Sequence, residues 1–138
     1  MEQYLKILKN NNLKITPRRR AVLGIFLGNE IYLGPYDVRK LLLKSKINIG
    51  LPSVYRILQE FKKTGILVEI ERADRQLYYG LCKTPDCDHH HFICKKCNKV
   101  EEVEFCNFDE MARFIEKKLK AKVERHTLHI EGLCAACK

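Results

Sequence analysis

The residues best equipped for chemistry gather in the rear of the chain. Two C-x-x-C pairs, Cys94-Lys95-Lys96-Cys97 and Cys134-Ala135-Ala136-Cys137, have the spacing with which a tight turn aims two thiolates at one ion. Together they complete a closed, four-thiolate zinc site. With every position filled by sulfur, such a zinc is structural rather than catalytic, and its binding energy is folding energy. Four buried apolar cysteines would carry no such spacing, and a redox C-x-x-C needs only one pair, in a thioredoxin-like setting absent here. A second constellation, Asp88-His89-His90-His91, directly precedes Phe92-Ile93-Cys94. Side chains alternate along a strand, so His89 and His91 point to one side while Asp88 and His90 point to the other. One segment can therefore feed two metal sites. Candidate co-ligands are Cys82, Glu101 or Glu102, Asp109 and His126.

Composition sets the frame for these residues. The 138 residues include 26 Lys+Arg against 17 Asp+Glu, giving +9, and seven cysteines. This length suits one ordinary domain or two small ones and leaves no room for a large doubly wound or barrel enzyme. No run approaches the roughly 18 apolar residues of a membrane span, and Met1-Glu2-Gln3-Tyr4 does not open a signal peptide. The expectation is a cytoplasmic protein with no membrane partner, where thiols stay reduced. An odd cysteine count in that compartment argues for metal ligation over a disulfide framework. The charge is uneven: residues 1–80 carry +8 and residues 81–138 carry +1, while every Cys and His lies beyond Leu81. A basic front half points to a polyanion partner.

The elements that must position these residues follow from periodicity and caps. Tyr4, Leu5 and Leu8 suit one face of a helix over Glu2 to Asn10, stopped by Asn11-Asn12. Thr16 can cap a second helix whose first position accepts Pro17, with Val22, Ile25 and Phe26 inward and an end near Gly28-Asn29. A third helix begins near Pro35, with Val38, Leu41, Leu42 and Ser45 inward. A fourth follows Pro52-Ser53, with Val54, Ile57, Leu58 and Phe61 on one face and Gly65 as its stop. The runs Ile66 to Ile70 and Gln76 to Gly80, split by the polar turn Glu71 to Arg75, read as a hairpin wing. Helix, turn, helix and wing make a winged helix-turn-helix. Ser53, Tyr55, Arg56 and Gln59 lie opposite the apolar stripe of the fourth helix. In a major groove that face offers Arg56 to phosphate or guanine and Tyr55 to backbone or a thymine methyl.

Behind the wing, Lys99 to Phe105 reads as a strand. Asn107 with Glu110 forms a capping-box-like start for a helix through Lys120, with Met111, Phe114, Ile115 and Leu119 inward. Lys122 to Glu131 alternates as a further strand carrying His126. Cys106 reads as core, and Cys87 has no evident role. The fold class is α+β: a winged-helix DNA-binding domain over 1–80, then a small α/β module over 81–138 for dimerisation and metal binding. Exposed sheet edges favour a homodimer, which would present two reading helices to a palindromic double-stranded DNA site.

On these residues the chain resembles the ferric uptake regulator family over almost its whole length. The resemblance rests on Leu13-Lys14-Ile15-Thr16-Pro17-Arg18-Arg19, on Ile49 to Leu58, and on His89 to Cys97 together with Cys134-Ala135-Ala136-Cys137. It implies a DNA-binding winged helix, a dimerisation domain, a structural zinc and a regulatory metal site between the domains that sets the DNA-competent pose, usually for repression. Candidate DNA contacts are then Lys14, Thr16, Arg18, Arg19, Ser53, Tyr55 and Arg56. By position, His89 and His91 match the sensing histidines and Glu102 the acidic ligand. Cys82 stands where the family's zinc uptake regulators place a thiolate. The iron-type proteins supply a His where Tyr32 stands here, and an acid where Gly80 stands. The acid that zinc sensors carry near the start of the wing matches Val68, with Glu69 beside it as a further candidate ligand. Asp88, His90, Asp109 and His126 correspond to a secondary site. One sulfur with two imidazoles suits Zn(II) over Fe(II) or Mn(II).

The reading is a metal-responsive repressor of metal-uptake genes sensing Zn(II), with an iron-sensing or other divalent-metal regulator as the neighbouring alternative. A thiol redox sensor is the alternative from another class, prompted by Cys82, Cys87 and Cys106. A zinc hydrolase ranks far below, since the chain has no H-E-x-x-H helix to supply an open metal with its base.

Overall fold

Thr16 and Pro17 show how locally the front half is specified. The computed structural model describes residues 1–72, 74–85, 89–126 and 128–138, so Cys87 and Asp88 lie outside the described residues. The Thr16 hydroxyl accepts the Arg19 amide at 3.2 Å, and Pro17 occupies the first turn, where no amide partner is needed. The resulting helix α2 (Pro17–Leu27) buries Val22, Leu23 and Phe26, with the half-buried Ile25 packed against the same core. Ahead of it, α1 (Glu2–Asn10) buries Tyr4 and Leu8, and Asn12 turns the chain through a left-handed conformation. Helix α3 (Pro35–Lys44) starts where the Asp37 carboxylate accepts the Gly34 amide at 2.9 Å. It ends one residue before Ser45, which is exposed rather than inward. Helix α4 (Leu51–Lys63) buries all four residues of its predicted stripe, and Gly65, at φ +79°, takes the left-handed turn that releases the chain.

The wing follows as β1 (Leu67–Glu71) and β2 (Leu77–Leu81), antiparallel with Leu67 opposite Leu81 and Glu71 opposite Leu77. One core, from Tyr4 on α1 to Tyr79 on β2, joins all four helices to the wing and draws every buried member from residues 4–79. The rear sheet has β3 (His90–Cys94) in the middle, antiparallel to β4 (Val100–Val103) and parallel to β5 (His129–Gly132). Helix α5 (Phe108–Leu119) connects β4 to the segment before β5.

Two expectations for this half change. The strand expected over 122–131 is only the four residues of β5, so His126 precedes the strand instead of lying on it. The five residues of β3 limit how far a partner can pair. The apolar stripe of α5 faces outward: Met111, Phe114 and Leu119 are 49 %, 64 % and 67 % exposed, and Asn107 makes no side-chain cap bond. Among the described residues, no other part of the single chain buries that face.

The segment between α2 and α3 joins the two halves. Ile31 bridges to Lys99 beside β4, while Leu33 bridges to Tyr79 in the wing. Between them Tyr32 is buried with Ile70 and Ile93 in a second small core, with Tyr78 and Val100 packed against it. A Cβ on Gly80 would stand 3.0–3.2 Å from the Tyr32 ring. Tyr32 and Gly80 are therefore one packing unit: the ring fills the space that a side chain at 80 would need. Gly80→Ala should destabilise the fold by about 1–3 kcal/mol through overpacking, read as a lower urea midpoint at unchanged slope. Among the described residues, no helix is long and apolar enough to cross a membrane.

Candidate metal centres

Among the described residues, three groups of ligand-type side chains come together, each with its donor atoms within 4.8 Å of one another. The first is Cys94, Cys97, Cys134 and Cys137. Cys94 ends β3, and the turn back to β4 passes Cys97 and then Asn98 in a left-handed conformation. Lys95 N–H bonds the Gly132 carbonyl at 2.8 Å, and the last turn closes with Cys137 N–H on the Cys134 carbonyl at 3.0 Å. These bonds set Cys97 Sγ 3.7 Å from Cys134 Sγ. The six described cysteines form no disulfide with one another. Backbone amides of Cys97 and Cys134 hold the Cys94 thiol down to about 6. Cys137, hydrogen-bonded to the Cys134 sulfur, is pushed up to about 12. Adjacent thiolates repel, so the quartet ionises fully only around a cation. Four sulfur donors fit a closed tetrahedral Zn(II).

The second group is Cys82, His89, His91 and Glu102. Cys82 leaves β2 and is buried; His89 and His91 stand on one side of the β3 segment; Glu102 lies opposite His91 on β4. Cys82 Sγ is 3.0 Å from His89 Nε2, which is 3.1 Å from His91 Nε2 and 3.9 Å from a Glu102 carboxylate oxygen. Burial, and then the neighbouring His89, push His91 down to about 4, leaving its imidazole neutral and able to donate a lone pair near neutral pH. Burial works to raise Glu102, but the Thr84 hydroxyl, the Lys83 amide and His89 outweigh it and hold the carboxyl below the usual range. A thiol, two imidazoles and a carboxylate converge as a mixed S/N/O set that fits a divalent cation. Glu101, the other acid weighed for this role, is exposed and paired with Lys99 at 3.1 Å. Glu69 is engaged elsewhere, accepting hydrogen bonds from Gln59, Lys62 and Tyr79, and does not join the group.

The unfolded His91 imidazole takes up a proton near 6.5 that the folded one refuses until about 4, so the chain holding only its four-thiolate zinc loses stability as pH falls across that window. Urea unfolding should give a smaller free energy at pH 5 than at pH 7. His91→Asn should shrink the difference.

The third group is His90, Cys106 and His126. His90, on the opposite side of β3, is 3.1 Å from both Cys106 Sγ and His126 Nε2, and His126 stacks on Phe108 at 4.0 Å between ring centroids. Asp109 is exposed on the first turn of α5 and is not in this group, while Asp88 lies outside the described residues. Cys106, expected in the core, is exposed and takes the place foreseen for Asp109. No spacing in the sequence marks it, because its partners lie 16 and 20 residues away.

The basic face gathers around α4. Thr16, Pro17, Arg18, Arg19, Arg56 and Glu60 line a groove between the start of α2 and α4. Lys14, Arg18, Tyr55 and Arg56 are exposed and Ser53 is half-buried. Arg19 is tied inward, with Nε 3.0 Å from Glu60 and an Nη1 hydrogen bond of 2.6 Å to the Lys14 carbonyl. Gln59, placed outward by its helical position, instead donates to Glu69 and Tyr79 and locks α4 to the wing.

Comparison with known proteins gives the chain's family. The family model "Ferric uptake regulator family" matches residues 10–131. The ferric uptake regulation protein of Bacillus subtilis (strain 168) is 31 % identical, over 99 % of this chain and 93 % of its own length. A zinc uptake regulator complexed with zinc and DNA has a similar structure, with a TM-score of 0.80 and 26 % identity, over 98 % of this chain and 90 % of that one. A ferric uptake regulator from Francisella tularensis with iron gives a TM-score of 0.66 at 29 % identity, over 91 % and 94 % of the two chains.

Proposed function

We propose, from the premise that the chain belongs to the ferric uptake regulator family and is a metal-responsive transcriptional regulator rather than an enzyme, that it represses metal-uptake genes in response to Zn(II). The observation that carries the choice of metal is Cys82 Sγ, 3.0 Å from His89 Nε2, in a donor set with His91 and Glu102. A thiolate and two imidazoles favour Zn(II) over the harder Fe(II) and Mn(II). A bound divalent ion supplies coordinate bonds linking the exit of the wing to β3 and β4. Cys94, Cys97, Cys134 and Cys137 hold a separate structural zinc, and His90, Cys106 and His126 form a secondary site.

In this reading residues 1–80 are the DNA-binding domain and residues 81–138 the dimerisation and metal-binding domain of a cytoplasmic protein. Arg18, Tyr55 and Arg56 face the duplex with Lys14, Thr16 and Ser53 beside them, while Arg19 braces α2 against α4. Titrating the full chain with Zn(II), Fe(II) and Mn(II) while following its binding to palindromic operator DNA tests the choice of metal. Zn(II) should act at the lowest free concentration; equal or better response to Fe(II) or Mn(II) would overturn it.

The uncovered face of α5, continuous in character with exposed Phe105 and Leu128, supports a second copy of the chain as its partner. Phe114→Glu places a charge in that face and should convert the dimer to monomer in sedimentation while leaving the front-half core folded.

A further inference from the structure

We infer that Thr84 is a positioning residue for the regulatory metal, fixing which nitrogen of His89 meets the ion and where the Glu102 carboxylate stands; this rests on the reading that Cys82, His89, His91 and Glu102 hold that metal. Thr84 lies in the segment joining the wing to β3 and touches two of the four donors. His89 turns Nε2 toward Cys82 and His91, and its other nitrogen, Nδ1, lies 3.3 Å from Thr84 Oγ1. The same hydroxyl is 2.9 Å from Glu102 Oε2. The other carboxylate oxygen accepts the backbone amides of Lys83 and Thr84, the latter at 3.0 Å.

The proton count gives this chain of contacts a direction. A hydroxyl has one proton to donate and lone pairs to accept with, and an ionised carboxylate only accepts. Thr84 therefore donates to Glu102 and presents a lone pair to His89, which meets it with Nδ1–H. Protonation at Nδ1 leaves the Nε2 lone pair aimed at Cys82 and His91, where the ion belongs. A partner of this kind fixes tautomer and ring orientation, and its loss commonly costs about 10–100-fold in metal affinity. Here a hydroxyl stands between carboxylate and imidazole, so one residue orients donors from two different segments.

Thr84 is exposed, so replacing its hydroxyl leaves the core untouched. In the full chain, Thr84→Val removes the hydroxyl at constant shape and Thr84→Ser keeps it. Zn(II) affinity of the chelatable site, measured against a colorimetric chelator, should fall about 10–100-fold in the Val variant and return in the Ser variant. Nitrogen NMR of the chain with its four-thiolate zinc in place and no metal at Cys82, His89, His91 and Glu102 should show the Nδ1-protonated tautomer of His89 in the parent and in Thr84→Ser, and lose that bias in Thr84→Val. A Val variant matching the parent in affinity and tautomer would overturn the inference, as would a loss that Ser does not restore. If the parent binds no chelatable Zn(II), or His91→Ala leaves its affinity unchanged, the four-donor reading itself fails and the role of Thr84 with it.

Discussion

A Cys94→Ser chain is expected to come out of purification one zinc short and with residues 81–138 unfolded. Structural zinc contributes an apparent ~10–16 kcal/mol in small zinc domains, as much as the whole ~5–15 kcal/mol stability of an ordinary domain. The rear half has little to set against that loss. Its buried residues are few, its helix buries nothing in the single chain, and β5 is anchored beside the Cys94 turn. Serine is close in shape to cysteine but is a poor zinc ligand. Were Cys94 a packing residue, Ser or Ala there would cost only the small loss of a buried group, and zinc content would hold. The front-half core draws only on residues 4–79 and should survive, so limited proteolysis should leave a fragment near residues 1–80 and digest the remainder. Retention of the native zinc count and of a protease-resistant rear half would show that the quartet does not carry the fold.

Cys82→Ser should have the second-largest effect, on regulation and not on folding. Cys82 is buried, but it lies outside the main core, and serine preserves its shape. What changes is the donor. Losing a direct ligand should weaken Zn(II) binding at the chelatable site beyond the roughly 10–100-fold of an outer-partner loss. The remaining imidazoles and carboxylate form a harder set, so the preference for Zn(II) over Fe(II) or Mn(II) should narrow. Operator binding would then no longer respond at zinc concentrations that saturate the parent, while the four-thiolate zinc stays in place. Unchanged zinc-dependent operator binding in Cys82→Ser would remove the thiolate from the site and the argument for zinc with it.

The front half was legible because its determinants are local. Thr16, Pro17, the Val54-Ile57-Leu58-Phe61 stripe and Gly65 each act within a turn or two of themselves, so period and cap locate the helices. The C-x-x-C pairs were legible for the same reason. The rear half was harder because its determinants come from elsewhere. The apolar spacing of α5 states that a face must be covered, and by itself cannot say whether the cover is the same chain or another. Cys106 joins His90 and His126 only through the path of the chain around α5, and Gln59 and Arg19 look like free polar groups until Glu69, Tyr79 and Glu60 are placed beside them. Tyr32 and Gly80 read separately as two departures from a pattern, whereas in space they are one contact.

The small core of Tyr32, Ile70 and Ile93 supplies no donor to the proposed ligand sets, yet it bears on when the regulator responds. It glues the winged helix to the sheet that carries the histidines, so any other orientation of the two must open or repack it. The apparent affinity for metal equals the intrinsic affinity scaled by the fraction of molecules already in the responsive orientation. These three side chains help to set that fraction. Trimming one of them, as in Ile93→Val, would move the metal concentration at which the operator is occupied while every ligand stays in place, a tuning dial separate from the sensor it adjusts.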